Sequence, residues 1–173
     1  MQQNYTANAS VPSVSGRTIA VMDPSDGQQF DEIQRSNADD IDAAVHAARR
    51  CYDAVWQRLA PVERGRLLHK LSAKILEHAE ELTALEQRDC GKPTKQARAD
   101  AIALARYFEF YAGACDKFHG ETIPYPDGYS VLTWREPHGV TGHVIPWNYP
   151  MQIFGRSVGG ALAAGNVCVV KPA

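Results

Sequence analysis

The 173-residue sequence predicts an α/β chain: a helical first part, an extended arm, then the start of a parallel sheet, in a domain that is incomplete. Three observations predict it. Apolar residues recur at helical steps of three and four through three long stretches before residue 118. The pattern then changes to a Pro- and Gly-punctuated, β-rich segment over residues 122–137. Last, Gly139–Ile145 and the wholly apolar run Val167–Val170 flank a single helical stretch, which is the pattern of a βαβ unit with a right-handed crossover. Two parallel strands and one helix cannot cover both faces of a buried sheet, so the unit reads as the opening of something larger.

Each element has its own signal. Ile19–Met22 and Phe30–Ile33 flank the turn residues Asp23-Pro24-Ser25-Asp26-Gly27 and read as a pair of short strands. Residues 1–18 are polar and read as a tail. Asn37 followed by Asp39 and Asp40 is a helix start, because Asn caps the free backbone N–H groups and acids suit the positive end of the dipole. The stripe Ile41, Val45, Ala48, Tyr52, Val55, Leu59 continues it. Pro61 restarts a helix with Leu68, Leu71, Ile75, Leu82 and Leu85 on one face, a break near His78-Ala79, and a stop at Gly91 before Pro93. A third helix is expected from Thr94 to Lys117, striped by Ala97, Ala101, Leu104, Phe108, Tyr111 and Cys115. Residues 122–137 then form a hairpin or arm turning at Asp127-Gly128. Its apolar residues are not confined to one face. Pro150 opens the last helix, Gly165-Asn166 ends it, and Gly155, Gly159 and Gly160 within it are read as allowing close packing on the sheet.

Composition narrows the function. Eighteen basic against 20 acidic residues give a net charge of −2, with no dense basic stripe, so nucleic acid is not an expected partner. No apolar run approaches membrane-spanning length, and residues 1–18 lack the charged and apolar regions of a secretory signal. A cytoplasmic chain with its four scattered cysteines reduced is the resulting expectation. The six histidines show no HExxH pattern, and no metal site is expected.

Ligands of open α/β sheets sit beyond the carboxyl ends of the strands. Asn148, in the loop after the first parallel strand, and Lys171, at the end of the second, share that edge. An Asn amide can donate to a developing oxyanion, and a Lys can reach ribose hydroxyls or phosphate. The competing readings are a turn or helix-cap Asn before Pro150 and a solvated Lys at a strand end. Neither of the familiar Gly-rich phosphate loops is present.

Gly139-Val140, Ile145-Pro146-Trp147-Asn148-Tyr149-Pro150, Ala161-Leu162-Ala163-Ala164-Gly165-Asn166 and Val169-Val170-Lys171-Pro172-Ala173, in that order, resemble the aldehyde dehydrogenase superfamily. Upstream, Ile41–Val45, Gly91-Lys92-Pro93 and Gly120–Pro124 agree. The resemblance implies an oxidoreductase that converts an aldehyde to a carboxylic acid with NAD or NADP, through a thiohemiacetal on a cysteine. It implies that Asn148 is the side-chain half of the oxyanion hole and that Ile145, Pro146 and Trp147 line the nucleotide path. Lys171 would bind the adenosine ribose, and Tyr149 would wall the aldehyde pocket. Arg156, one residue before the position where many relatives carry Lys and this chain has Ser157, would suit a carboxylate-bearing aldehyde if it faces the pocket; the alternative is a surface residue. The resemblance further divides the chain into a tail (1–18), the helical N-terminal part of a cofactor-binding domain (19–121), an oligomerisation arm (122–137) and the first βαβ unit of a Rossmann-like sheet (138–173). It implies a homo-oligomer, dimer or tetramer, as the full-length protein.

The superfamily's catalytic cysteine and general-base glutamate lie beyond the Lys171 motif, and the chain ends before either. Cys51, Cys90, Cys115 and Cys168 are read as structural, with none near the Asn148 edge. The chain alone is therefore expected to be inactive. A non-catalytic nucleotide-binding or oligomerisation module, or a relative making acyl-phosphate or acyl-thioester products, are the alternatives.

Overall fold

The computed structural model describes residues 1–173. Two antiparallel pairs come first: β1 (Asn4–Thr6) with β2 (Ala9–Val11), and β3 (Thr18–Met22) with β4 (Gln29–Gln34). The first hairpin falls where the sequence suggested only a polar tail. Ala7 and Asn8 both take positive φ, the requirement of a tight two-residue hairpin turn, and Ala disguises that signal. The second pair forms as expected around the Asp23–Gly27 turn.

Helix α1 (Ala38–Ala54) begins at Asn37 as read from the sequence. The Asn37 carboxamide oxygen accepts from the Asp39 and Asp40 amides, and the Asp40 carboxylate accepts from the Asn37 amide in return. The same carboxylate accepts from the Ser13 hydroxyl and the Val14 amide, which ties the N-terminal segment to the helix. The chain leaves α1 before Val55 through a 3-10 turn at Trp56–Arg58, so the apolar stripe outlasts the helix. Helices α2 (Pro61–Glu77) and α3 (Ala79–Cys90) separate at His78, and Gly91 closes α3 in the left-handed conformation with φ +67°. Helix α4 (Thr94–Ala114) ends three residues earlier than the stripe suggested.

α4 is the centre of the molecule. Ala97, Ala101, Leu104, Ala105 and Phe108 are buried along it, and the last three pack in one cluster with Leu68 and Ile75 of α2 and Val158 of the last helix, α5 (Pro150–Ala163). Gly65 lets α2 approach so closely that an added Cβ would lie 2.7 Å from the Ala112 carbonyl oxygen. Gly155, Gly159 and Gly160 have the same purpose on a different partner from the one expected. They face Leu104, Tyr107 and Tyr111 of α4, so the glycine face of α5 packs on a helix rather than on the sheet.

β5 (Thr122–Ile123) and β6 (Val131–Leu132) pair in an antiparallel arm much shorter in strand than its sequence suggested. β7 (Val140–Val144) and β8 (Val167–Lys171) pair in parallel across α5, as the pattern required, from Val140↔Val167 to Val144↔Lys171. Buried Asn166 sets this register: its side chain accepts from the Gly139 amide and donates to the Ala161 carbonyl.

Candidate active site

The parallel register places the ends of β7 and β8 side by side. The Ile145 amide donates to the Lys171 carbonyl at 3.0 Å, so the loop after β7 leaves the sheet locked to the last residue of β8. Ile145 is buried beneath this edge, while Pro146, Trp147, Asn148 and Lys171 are exposed on it. Asn148 and Lys171 therefore share one edge, as the crossover geometry demands.

Asn148 is not the cap of α5. Tyr149 holds that position, without a side-chain cap, and Pro150 fills the first helical position. Ser157, two turns along α5, hydrogen-bonds His143 of β7, whose pKa burial lowers. One hollow of the surface is lined by Met1 and Gln29–Glu32 and another by residues of α4 near Phe110 and Lys117; neither touches this edge.

The remaining sequence candidates are placed differently. Tyr149 lies under the Lys92 ammonium, 4.4 Å from its ring centroid. Arg156 is two turns along α5 on the exposed side, where its guanidinium donates to the Tyr107 hydroxyl at 2.7 Å and to the Gln152 carboxamide at 2.9 Å. It has no acidic partner and no contact with Asn148.

Beneath the loop lies a group of residues that sequence reading overlooked. Lys92 donates to Glu86 at 2.5 Å and to Asp100 at 2.7 Å. Asp100 is fully buried and also accepts from Gln96 and Gln152. Burial raises the Glu86 pKa, and the bond from Lys92 only partly offsets it. Burial also acts to raise Asp100, but the bonds from Lys92, Gln152 and Gln96 outweigh it and leave the carboxyl below its usual range. For Lys92 burial acts downward, and the two carboxylates reverse it to a net rise. A signal was present: Asp100 interrupts the stripe Ala97–Ala101–Leu104, and Glu86 follows Leu82 by four, so both acids sit on apolar faces.

Cys90 corrects a second expectation. It was read as remote from the Asn148 edge, yet its thiol donates to the Trp147 carbonyl at 3.2 Å. The fold brings them together because Gly91 turns the chain under the loop, with Pro24 packed against it. Burial, then the charges of Glu86 and Asp89, push the Cys90 pKa up to about 11, so the thiol stays protonated near neutral pH. Burial also raises Cys115 and Cys168.

No helix is long and apolar enough to cross a membrane. A mitochondrial aldehyde dehydrogenase, family 2 member B4 of Arabidopsis thaliana, is 43% identical over 165 residues, covering 94% of this chain and 31% of its own. The crystal structure of a putative aldehyde dehydrogenase from Burkholderia cenocepacia superimposes with a TM-score of 0.96 at 62% identity, covering 99% of this chain and 36% of that one. A structure of PnpE in complex with nicotinamide adenine dinucleotide gives 0.94 at 40% identity over 99% of this chain and 35% of its own, and PnpE from Pseudomonas sp. WBC-3 gives 0.93 at 40% identity over 99% and 36%. The chain thus spans about a third of the length of these relatives. The profile described as the aldehyde dehydrogenase family matches residues 11–173, which include the Asn148 loop and the Lys171 strand end, and on that match and these superpositions the chain belongs to the aldehyde dehydrogenase family.

Proposed function

We propose that this chain is the N-terminal part of an enzyme that oxidises an aldehyde to a carboxylic acid with NAD or NADP. The observation that carries the reading is the edge itself: Asn148, with its carboxamide exposed and not used as the α5 cap, stands beside the end of β8 that carries Lys171.

The residues suit a nucleotide. Lys171 offers an exposed ammonium free of any acidic partner in the chain, and buried Ile145 gives the edge an apolar floor. Lys171 would hold the ribose hydroxyls, with Pro146 and Trp147 along the nucleotide path. The bound nucleotide supplies the two-electron acceptor. Asn148 then donates a hydrogen bond to the aldehyde oxygen as it gains negative charge, a bond stronger in the transition state than in the ground state. The attacking thiolate comes from outside this chain, since burial holds Cys90, Cys115 and Cys168 as thiols and Cys51 lies on α1.

Tyr149 and Arg156 belong to the substrate side in this reading. Tyr149, the N-cap of α5, follows Asn148 directly in the chain, and the Arg156 guanidinium keeps N–H groups free for an anionic end of the aldehyde. β7–α5–β8 is the first unit of a Rossmann-like sheet. The β5–β6 arm, with Tyr129 and the 82%-exposed Trp134 beside it, is an oligomerisation surface. The test is to follow nucleotide reduction at 340 nm in the complete protein, with neutral and carboxylate-bearing aldehydes and with NAD and NADP in turn. Aldehyde-dependent reduction is expected. No reduction with any pairing, in a protein that still binds nucleotide, would favour the non-catalytic module instead.

A further inference from the structure

We propose that the part-buried Lys92–Asp100 pair is a positioning device for the Asn148 loop, acting through Gln152, Tyr149 and Cys90. The proposal rests on the functional reading of Asn148 above.

The loop has little to hold it from its own side. Trp147 is 75% exposed, Asn148 is exposed, and α5 starts without a side-chain cap. The attachments come from below, and they grip the chain on both sides of Asn148. Before it, the Trp147 carbonyl accepts from the Cys90 thiol. After it, the Tyr149 ring covers the Lys92 ammonium, and Gln152 in the first turn of α5 donates to Asp100 at 2.7 Å. Cys90 and Lys92 are two residues apart across Gly91, whose left-handed conformation ends α3 at that point.

The anchor is stiff. Asp100 accepts from three different donors, Lys92, Gln96 and Gln152, and is fully buried in the second turn of α4. Lys92 is held by two carboxylates, one from α3 and one from α4. A donor aimed at an oxyanion must be preorganised, because a displacement of about 1 Å can cost on the order of a hundredfold in rate. Lys92 and Asp100 touch neither Asn148 nor the reacting atoms in this arrangement. They set where the loop sits.

The test compares the complete wild-type protein with Gln152→Leu, which cuts the link to α5 and leaves the ion pairs intact, and with Lys92→Met. Hydrogen exchange is read by peptide, together with kcat and the KM for the nucleotide. The expected result is loss of protection confined to residues 145–153, with α2 and the β7–β8 pair unchanged. Turnover should fall about tenfold to a hundredfold at unchanged nucleotide KM. Unchanged protection of 145–153 in folded Gln152→Leu would overturn the proposal, as would a loss spread evenly through α2 and α4, which marks a merely structural role. Should Lys92→Met fail to fold, Gln152→Leu decides alone. An Asn148→Ala enzyme with full turnover would instead sink the functional reading, while the exchange pattern would still decide the positioning.

Discussion

The four cysteines show how strongly the environment decides chemistry in this chain. Cys90 sits against the Asn148 loop, yet it has no cation to itself: Lys92 is engaged by Glu86 and Asp100, and burial and the nearby carboxylates hold the thiol protonated. It donates a hydrogen bond to Trp147 and acts as a small structural polar group. Brief treatment with iodoacetamide at pH 7.5, followed by peptide mass spectrometry, should modify exposed Cys51 and leave Cys90 largely unmodified. Preferential labelling of Cys90 would show an activated thiol and contradict this picture. The sequence could not reveal the contact, because Cys90 and Trp147 lie 57 residues apart and meet only once α3 packs on α4. Asn148 and Lys171, in contrast, could be placed on one edge from strand pattern alone, since a parallel crossover leaves no other arrangement.

At the scale of elements, the close approach of α2 to α4 depends on Gly65. Alanine there gains up to about 1 kcal/mol in helix propensity. Its Cβ, however, meets the Ala112 carbonyl oxygen at 2.7 Å, a backbone atom that cannot swing away. The clash wins, and Gly65→Ala should destabilise by roughly 1–3 kcal/mol, read as a lower urea midpoint. The ion pairs joining α3 and α4 give a pH signature. Lys92 is raised, so its contribution is present through neutral pH and lost as pH climbs past the ordinary lysine range. Asp100 is lowered, so its contribution is present at neutral pH and lost as acid protonates it below the ordinary carboxylate range. Glu86, raised by burial, takes up its proton before Asp100 and at no comparable loss. Urea melts across pH should therefore show a smaller acid-side loss for Asp100→Asn than for wild type. An identical acid slope would show that Asp100 does not carry it. Helices and parallel strands were legible because their apolar periods are long. The β1–β2 hairpin was not, because its turn uses Ala7 where Gly or Asn would announce it, and the arm was over-read because β-forming residues there stay exposed.

Over the whole molecule, apolar surface outruns what the chain itself can cover. Ile41 and Val45 on α1, Phe110 in the last turns of α4, Phe118 beyond that helix, and Tyr125, Tyr129, Leu132 and Trp134 around the arm are all exposed. The parallel sheet has only two strands, and both remain edges. Residues 1–173 produced alone should self-associate in sedimentation velocity, and a monomer with a cooperative melt would count against that. The same surfaces fit a chain that spans about a third of its relatives and meets further sequence there. What the sequence could place best was the edge that Asn148 and Lys171 share; what it placed least well was the polar group beneath, where charged residues sit on apolar faces and only packing reveals their partners. The central claim is that Asn148 stabilises the oxyanion of aldehyde oxidation in the complete protein. Steady-state kinetics of Asn148→Ala test it most directly: kcat should fall about 10²–10³-fold with nucleotide affinity unchanged, whereas turnover equal to wild type would contradict the account.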